Sequence, residues 1–472
     1  MTDRLAPTSS ITDVSFAWPS VDELWATLLL QAGFNSAAVA IGATLLGASA
    51  GIVGTFALLR KRALMSDALA HSALPGLAVA FILAYLLGYN PRSLTVLLLG
   101  ATLSGILGVL CVQGIVRSTR LKEDAAIGIV LSVFFGAGIV LLSIIQSMGT
   151  GAEGGLGHFI YGQTAAMRAT DAKVLLCVTL ITAICAVCFL KEFRLVSFDQ
   201  DFAQALGWPV SLIDLIMMTL LVVVTVVGLQ TVGIILIVAL LVVPAASARF
   251  WTERLSIMTA LGALIGGASG YAGAVMSSLL PRLPAGAVIV LCAGVFFVFS
   301  FLFAPCRGVI AMAYRLIRLR INVANEHLLR DMYEQIELRS KVAPSQLPPS
   351  MCSLLVSELP ILRSWSQWFA AFVLRGLSSK GFVQHSEDTL CLTAKGLHHA
   401  AIAVRNHRLW EEYLITHADI AASHVDRSAD VVEHVLSPEI VNQLEAALVA
   451  KGRLPNRDNV PLASVHPLEG HV

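Results

Sequence analysis

A series of long apolar runs between residues 34 and 303 constrains this chain more than any other feature. A helix needs about 20 apolar residues to cross the hydrocarbon layer of a membrane. Only 13% of the residues are charged, against about 25% in an average soluble domain, so one soluble core cannot bury the apolar excess. The runs predict nine membrane-crossing helices, at Phe34–Leu59, Ala63–Leu87, Leu94–Val116, Ala125–Ile145, Ala172–Leu190, Val210–Val227, Leu229–Ala248, Ser256–Met276 and Ala285–Phe303.

The loops between these runs carry positive charge asymmetrically. If the N-terminus lies outside, the inner loops hold fourteen Lys and Arg residues and the outer segments hold five. Cytoplasmic loops of membrane proteins carry an excess of Lys and Arg. The sequence therefore predicts a multi-pass protein of the cell (inner) membrane, with its N-terminus outside and everything after Phe303 in the cytoplasm. The separation of the sixth and seventh helices rests on Gly228.

Two polar residues, Asp67 and His71, stand inside the second apolar run. They are four residues apart, so they share one face of a helix. A charged side chain in lipid costs about 2.5–3.5 kcal/mol, so both should face the bundle interior or water. A carboxylate and an imidazole suit a path for a divalent metal ion. The residues alone leave open an alternative, in which the two form an internal pair or bind Arg60 or Arg62.

The inner loop 191–209 contains the signals of a short helix. Ser197 or Asp199 can cap a helix that ends at Gly207, and Pro209 follows it. A compact helix between two membrane spans is either an ordinary amphipathic loop helix or a docking element for a soluble partner.

The membrane part resembles the permease family of ABC-type zinc and manganese importers. The resemblance is carried, in this order, by residues 59–76, 122–128, 161–163, 197–207 and 232–246. It implies a helical importer that works with a separate ATPase and an extracytoplasmic metal-binding protein, as a homodimer or with a paralogous permease. It places Asp67 and His71 in the translocation pathway. The residues that it assigns to ATPase coupling are Ser197, Phe198, Asp199, Ala203 and Gly207.

The sequence contains no GxxxxGK[ST] phosphate-binding motif. We therefore expect a transport subunit that is not itself an enzyme, with ATP hydrolysis supplied by the separate ATPase.

Beyond residue 305 the long apolar runs end, and ten of the twelve histidines follow. Residues 381–396 predict two strands, a polar turn between them and the start of a helix, which is how a winged-helix module ends. His407 and Glu411 are four residues apart, and three further ligand types share one face of a later helix, namely Asp430, Glu433 and His434. Imidazole and carboxylate together suit manganese, iron or zinc. Each set is also a common pattern of a solvated surface.

This extension resembles the metal-dependent repressors of the diphtheria-toxin-repressor and manganese-repressor kind, in residues 327–334, 381–396, 399–414 and 426–436. The resemblance implies two metal sites. One consists of His407, Glu411 and Asp426, and the other of His327, Asp430, Glu433 and His434. The expected DNA-reading region, 364–377, contains Arg375 as its only basic residue. Phosphate neutralisation needs several Lys or Arg, so we expect any DNA binding to be weak.

The predicted fold is an all-α polytopic membrane bundle of about nine helices, followed by a cytosolic winged-helix-like and helical metal-binding or dimerisation-like domain. The predicted function is the permease subunit of an ATP-binding-cassette importer for manganese, zinc or iron, with a metal-sensing tail. The alternative is a membrane-tethered, metal-dependent DNA-binding transcription regulator.

The expected ligands are the divalent metal, as substrate and regulator, and membrane lipid, without an organic cofactor. The predicted divisions are 1–24 (N-terminal segment), 25–305 (permease), 306–321 (basic linker), 322–398 (winged-helix-like), 399–450 (metal-binding-like) and 451–472 (tail).

Overall fold

The structure is a computed structural model of the chain. It describes residues 20–31, 33–60, 62, 65–91, 93–148, 167, 169–280, 283–340, 353–355, 366–386, 389–417 and 438–450. Four predicted metal ligands lie outside the described residues, namely Asp426, Asp430, Glu433 and His434. The chain forms two compact units, residues 1–312 and 313–472.

The described part of the first unit is helical. Its helices are α1 (Val21–Leu28), α2 (Phe34–Leu59), α3 (Met65–Leu86), α4 (Leu94–Ser118), α5 (Glu123–Ser147), α6 (Ala169–Cys188), α7 (Leu190–Phe198), α8 (Gln200–Ala205), α9 (Val210–Val232), α10 (Ile234–Trp251), α11 (Leu255–Leu279) and α12 (Ala285–Phe303). Among the described residues, eight helices are long and apolar enough to cross a membrane, namely α2 to α6, α9, α11 and α12. The remaining predicted span is α10, whose apolar part, Leu236–Trp251, is shorter. The predicted membrane bundle is confirmed.

The break between the sixth and seventh predicted spans lies at Gly233, and the prediction of Gly228 is wrong. Gly233 has a φ of 84°, which L side chains rarely adopt, and its N–H donates to the Leu229 carbonyl at 2.9 Å. Gly228 lies inside α9, where it closely approaches Ile237 and Leu46. Both positions carry glycine, so the sequence alone could not show which one ends the helix.

Helix α2 is the buried centre of the bundle, and it packs most extensively on α11. Gly47 and Gly51 on α2 face Gly266 and Gly262 on α11. A Cβ atom added at Gly47 or Gly51 would come within 2.1 Å of the facing carbonyl oxygen. Small residues at this spacing allow membrane helices to approach backbone to backbone. This contact fixes α2, whose C-terminal end leads directly to the polar cluster described below.

The second unit combines helices with a small sheet. Its elements are α13 (Val309–Ser340), which begins just before it, β1 (Ser353–Leu355), α14 (Gln367–Ser379), β2 (Val383–Ser386), β3 (Thr389–Leu392), α15 (Ala394–His417) and α16 (Pro438–Ala450). The strands form an antiparallel sheet in the order β1-β3-β2, with Ser353 opposite Cys391 and Val383 opposite Leu392. Met332, Val373 and Val404 bring α13, α14 and α15 into one core. This arrangement agrees with the predicted winged-helix-like fold.

Candidate functional site

The predicted pathway residues Asp67 and His71 lie together at the start of α3. His71 Nε2 is 3.6 Å from Asp67 Oδ1, and the His71 ring makes an edge contact with Phe135 of α5 at 5.0 Å between centroids. The His71 side chain is 22% exposed and that of Asp67 is 45% exposed, whereas Ala68 and Leu69 are buried. Among the described residues, no hydrogen-bond partner reaches His71 Nδ1, which is buried. The pair therefore offers an unused imidazole nitrogen next to an accessible carboxylate.

Of the two forms of the alternative interpretation, the internal Asp67–His71 pair agrees with the 3.6 Å distance between them, whereas the tie to Arg60 or Arg62 does not, because both arginines bind Asp214 of α9. Arg60 Nη2 donates to Asp214 Oδ1 at 3.0 Å, and Arg62 Nη1 donates to Oδ1 at 2.8 Å and to Oδ2 at 2.7 Å. Gln113 of α4 donates to Oδ2 at 3.0 Å, and Arg62 also forms an ion pair with Glu123 at the start of α5. Both arginines and Asp214 lie almost entirely out of contact with solvent, whereas Glu123 is one-third exposed.

Sequence reasoning missed Asp214. The signal was the one that identified Asp67, namely a carboxylate inside an apolar run, where an ionisable group is costly unless it has a partner. The partners of Asp214 are more than 100 residues away along the chain, so spacing could not reveal them.

The loop after α6 folds into the predicted short helix. Asp199 caps α8, since its Oδ1 accepts from the Phe202 N–H at 2.9 Å, while Ser197 lies inside α7. Gly207 ends the turn with a φ of 80°. Among the predicted coupling residues, Phe198 is exposed and Ala203 is buried.

Residues 190–207, which we name the coupling segment after their predicted role, expose large apolar side chains beside charged ones such as Lys191 and Asp201. Phe198, Phe202 and Leu206 are each more than half exposed. Its buried side is tied to the polar cluster, because Arg60 Nη1 donates to the Val196 carbonyl at 3.1 Å. An apolar surface of this kind on a polar loop is typical of a protein-binding site.

A cavity of about 450 Å³ opens beside the polar cluster. Its lining combines basic, acidic and amide side chains with one indole ring, and includes Arg62, Gln113, Arg117, Glu123, Gln204, Trp208 and Asp214. The cavity therefore lies next to α4 and to the region where α8 joins α9.

In the second unit, the predicted ligands His407 and Glu411 are buried side by side on α15. His407 Nε2 lies 3.2 Å from Glu411 Oε1, and Arg330 Nη1 of α13 lies 2.6 Å from His407 Nδ1. The predicted ligand His327 is buried one turn before Arg330 on the same helix. Burial raises the pKa of the Glu334 carboxyl to about 7, against the opposing effect of nearby cations such as Arg330.

The described residues do not assemble a complete metal site. Among them, no group of three or more His, Cys, Asp or Glu side chains is placed to hold an ion. His407 and Glu411 are brought together, whereas Asp426, Asp430, Glu433 and His434 lie outside the described residues. The predicted DNA-reading residue Arg375 is exposed on α14.

The helical bundle, the Asp67–His71 pair on α3 and the exposed loop helix α8 are features of a multi-pass membrane transport protein. A winged-helix-like unit is appended to it. The chain belongs to the ABC 3 transport family, which matches residues 34–304. Residues 393–461 match the metal binding and dimerisation domain of iron dependent repressors. Both resemblances noted in the sequence are thereby confirmed.

Individual relatives agree with this assignment. The manganese transport system membrane protein MntC of Bacillus subtilis is 37% identical over 425 residues, covering 90% of this chain and 94% of that protein. The zinc transport system membrane protein TroC of Treponema pallidum is 40% identical over 288 residues, covering 61% of this chain and 94% of that protein. The Bacillus match is long enough to reach into the second unit, which is therefore partly shared with a relative.

A solved structure is also similar. PsaBC from Streptococcus pneumoniae, in complex with Fab, has a chain that matches 61% of this chain and 98% of its own length, with 32% sequence identity and a TM-score of 0.51. Over the matched 61%, this chain therefore shares its fold with a solved structure.

Proposed function

We propose that this chain is the permease subunit of an ATP-binding-cassette importer that carries manganese, zinc or iron into the cytoplasm. The observation that carries the proposal is the accessible Asp67–His71 pair in an otherwise apolar membrane helix. Carboxylate and imidazole are ligands that divalent transition metals accept. The manganese and zinc transport proteins named above, which are similar over 425 and 288 residues, support the same substrate class.

Two features indicate the proposed partners, namely the missing ATP-binding motif and the exposed apolar side chains of the coupling segment. Its sequence contains no phosphate-binding motif for ATP, so a separate ATPase would dock on the coupling segment through Phe198, Phe202 and Leu206. An extracytoplasmic metal-binding protein would deliver the ion to a homodimer or to a pair with a paralogous permease. We place the N-terminus outside the cell and the second unit in the cytoplasm, because this orientation puts most of the positively charged loops inside.

The second unit is proposed to be a metal-sensing regulatory tail. Its buried His407–Glu411 pair and its likeness to the repressor metal-binding domain support this role. The three-stranded sheet favours the second candidate, a tethered DNA-binding regulator, but α14 carries only one basic residue, Arg375. Strong duplex binding needs several phosphate contacts, so DNA binding would be weak and would fall steeply with salt.

Uptake by reconstituted vesicles tests the function. We expect proteoliposomes with the chain, its ATPase and the metal-binding protein to accumulate radioactive manganese, zinc or iron when ATP is supplied. Vesicles that lack any one component are the control and should accumulate only background. Failure to accumulate any of the three metals, with ATP hydrolysis intact, would refute the importer.

Replacing Gly207 with Val should uncouple the ATPase. A side chain at the φ of 80° costs about 1–2 kcal/mol, so the strained turn would shift the end of α8 and its apolar face. We expect transport to fall about 10-fold, which corresponds to about 1.4 kcal/mol. The measurements are metal uptake and the ATP hydrolysis stimulated by the metal-loaded binding protein, and both should fall.

Gly88 provides a matched control for this experiment. It has a φ of 74° and, like Gly207, open space where a Cβ atom would lie, but it is located between α3 and α4. Gly88→Val should therefore introduce the same strain without altering the stimulated hydrolysis. Equal effects of both substitutions would mean that strain in any loop is sufficient, and Gly207 would have no special role in coupling.

A further inference from the structure

The buried pair of the second unit already has a cation beside it. Arg330 is 4% exposed, and its Nη1 atom lies 2.6 Å from His407 Nδ1. His407 and Glu411 are 2% and 1% exposed, so little water can screen the three side chains from one another. A guanidinium group is permanently charged and can only donate hydrogen bonds.

This contact determines the state of the imidazole. Because Arg330 donates to Nδ1, that nitrogen must offer its lone pair, and the ring proton of neutral His407 is on Nε2. Nε2, which carries that proton, lies 3.2 Å from Glu411 Oε1. In this state neither ring nitrogen has a free lone pair, because that of Nδ1 accepts from Arg330 and Nε2 is protonated, whereas a metal ligand must present a free lone pair to the ion.

The carboxylate beside it still has capacity for a cation. Both Glu411 carboxylate oxygens are buried, and neither has a hydrogen-bond partner among the described residues. A buried carboxylate oxygen without a donor is costly, and it is a strong acceptor for a metal ion. Glu411 and His407 therefore suit a divalent ion once the guanidinium group has left.

We propose that Arg330 is a built-in cation of the His407–Glu411 pair, which a divalent transition metal must displace before it binds there. Arg330 then raises the metal concentration at which the tail responds. The inference rests on the proposed metal-binding role of the tail. It concerns a residue of α13, so loss of the Arg330 contact on metal binding would also change how α13 packs on α15.

Metal binding by the full-length protein tests this inference. All proteins carry His71→Ala, which removes the proposed pathway ligand, and equilibrium dialysis with Mn²⁺ or Zn²⁺ gives the affinity. Arg330→Met keeps the apolar stem and removes the charge, so we expect binding at least about 10-fold tighter than with Arg330 present. Adding His407→Ala to Arg330→Met should abolish the gain. Arg330→Gln, which can still donate a hydrogen bond, is the second variant if Met prevents folding.

Arg408 provides the matched control. It is as buried as Arg330, but its Nη2 atom binds Glu337 at 2.5 Å, so Arg408→Met should leave the metal affinity unchanged. If the protein with Arg330 intact binds metal as tightly as both Arg330 variants, Arg330 is no barrier and the inference is wrong, while the metal-binding tail stands. If no folded variant binds metal, the metal-binding tail itself fails and the inference fails with it.

Discussion

Replacing Asp67 with Asn, or His71 with Ala, is expected to reduce metal uptake about 100-fold or more, to the background of empty vesicles. The two side chains are the accessible polar groups at the start of α3, and each substitution removes a ligand type that a divalent ion needs. Neither side chain participates in the Asp214 cluster, so the protein should assemble normally. The measurement is ATP-driven uptake of radioactive metal into proteoliposomes.

Ser72 supplies the control for this prediction, because it follows His71 and is buried. Its hydroxyl donates to the Leu69 carbonyl of its own helix, so Ser72→Ala should leave uptake close to that of the parent. Binding of the ATPase should be normal in all three variants. Uptake at the parent rate by both Asp67→Asn and His71→Ala would refute the pathway role and would leave the pair as a structural contact.

The sequence allowed these two residues to be found because ionisable groups are rare in apolar spans. Spacing also predicted the loop helix and its end at Gly207. It left Ser197 and Asp199 as alternative caps, and the backbone decides between them. Asp199 has an extended conformation, with φ −148° and ψ 96°, which a cap requires, whereas Ser197 is helical.

Contacts between distant parts of the chain could not be predicted in this way. Arg330 is 77 residues from His407, and nothing in the local pattern of α13 places a guanidinium group against an imidazole on α15. The same limit applies to Asp214, whose arginine partners are 152 and 154 residues away. Helical periodicity describes one face of one helix, but which faces meet depends on the packing of the whole unit.

Replacing Asp214 with Leu is expected to be among the most destabilising single changes in the membrane unit. Arg60 and Arg62 share this carboxylate, and their side chains are about one-tenth exposed. Removing one partner of a buried ion pair costs about 3–5 kcal/mol, because the remaining charge is uncompensated. Glu123 would still bind Arg62, but Arg60 would keep only neutral acceptors among these contacts, the Val196 carbonyl and the Gln200 amide oxygen. We expect a lower yield of folded protein and a clearly lower melting temperature in detergent.

A double substitution separates the charge effect from a simple packing defect. Arg60→Met together with Asp214→Leu removes a charge from both sides of the pair, so it should be more stable than Asp214→Leu alone. The exposed ion pair between Arg307 and Glu253 is the control, and Glu253→Gln should leave the melting temperature unchanged because solvent screens that pair. If Asp214→Leu melts with the parent protein, the two arginines do not depend on this carboxylate. If the double variant melts below Asp214→Leu, lost packing outweighs the uncompensated charge. Recovery in the double variant would instead establish that Asp214 neutralises the arginines that join α2, α9 and the coupling segment.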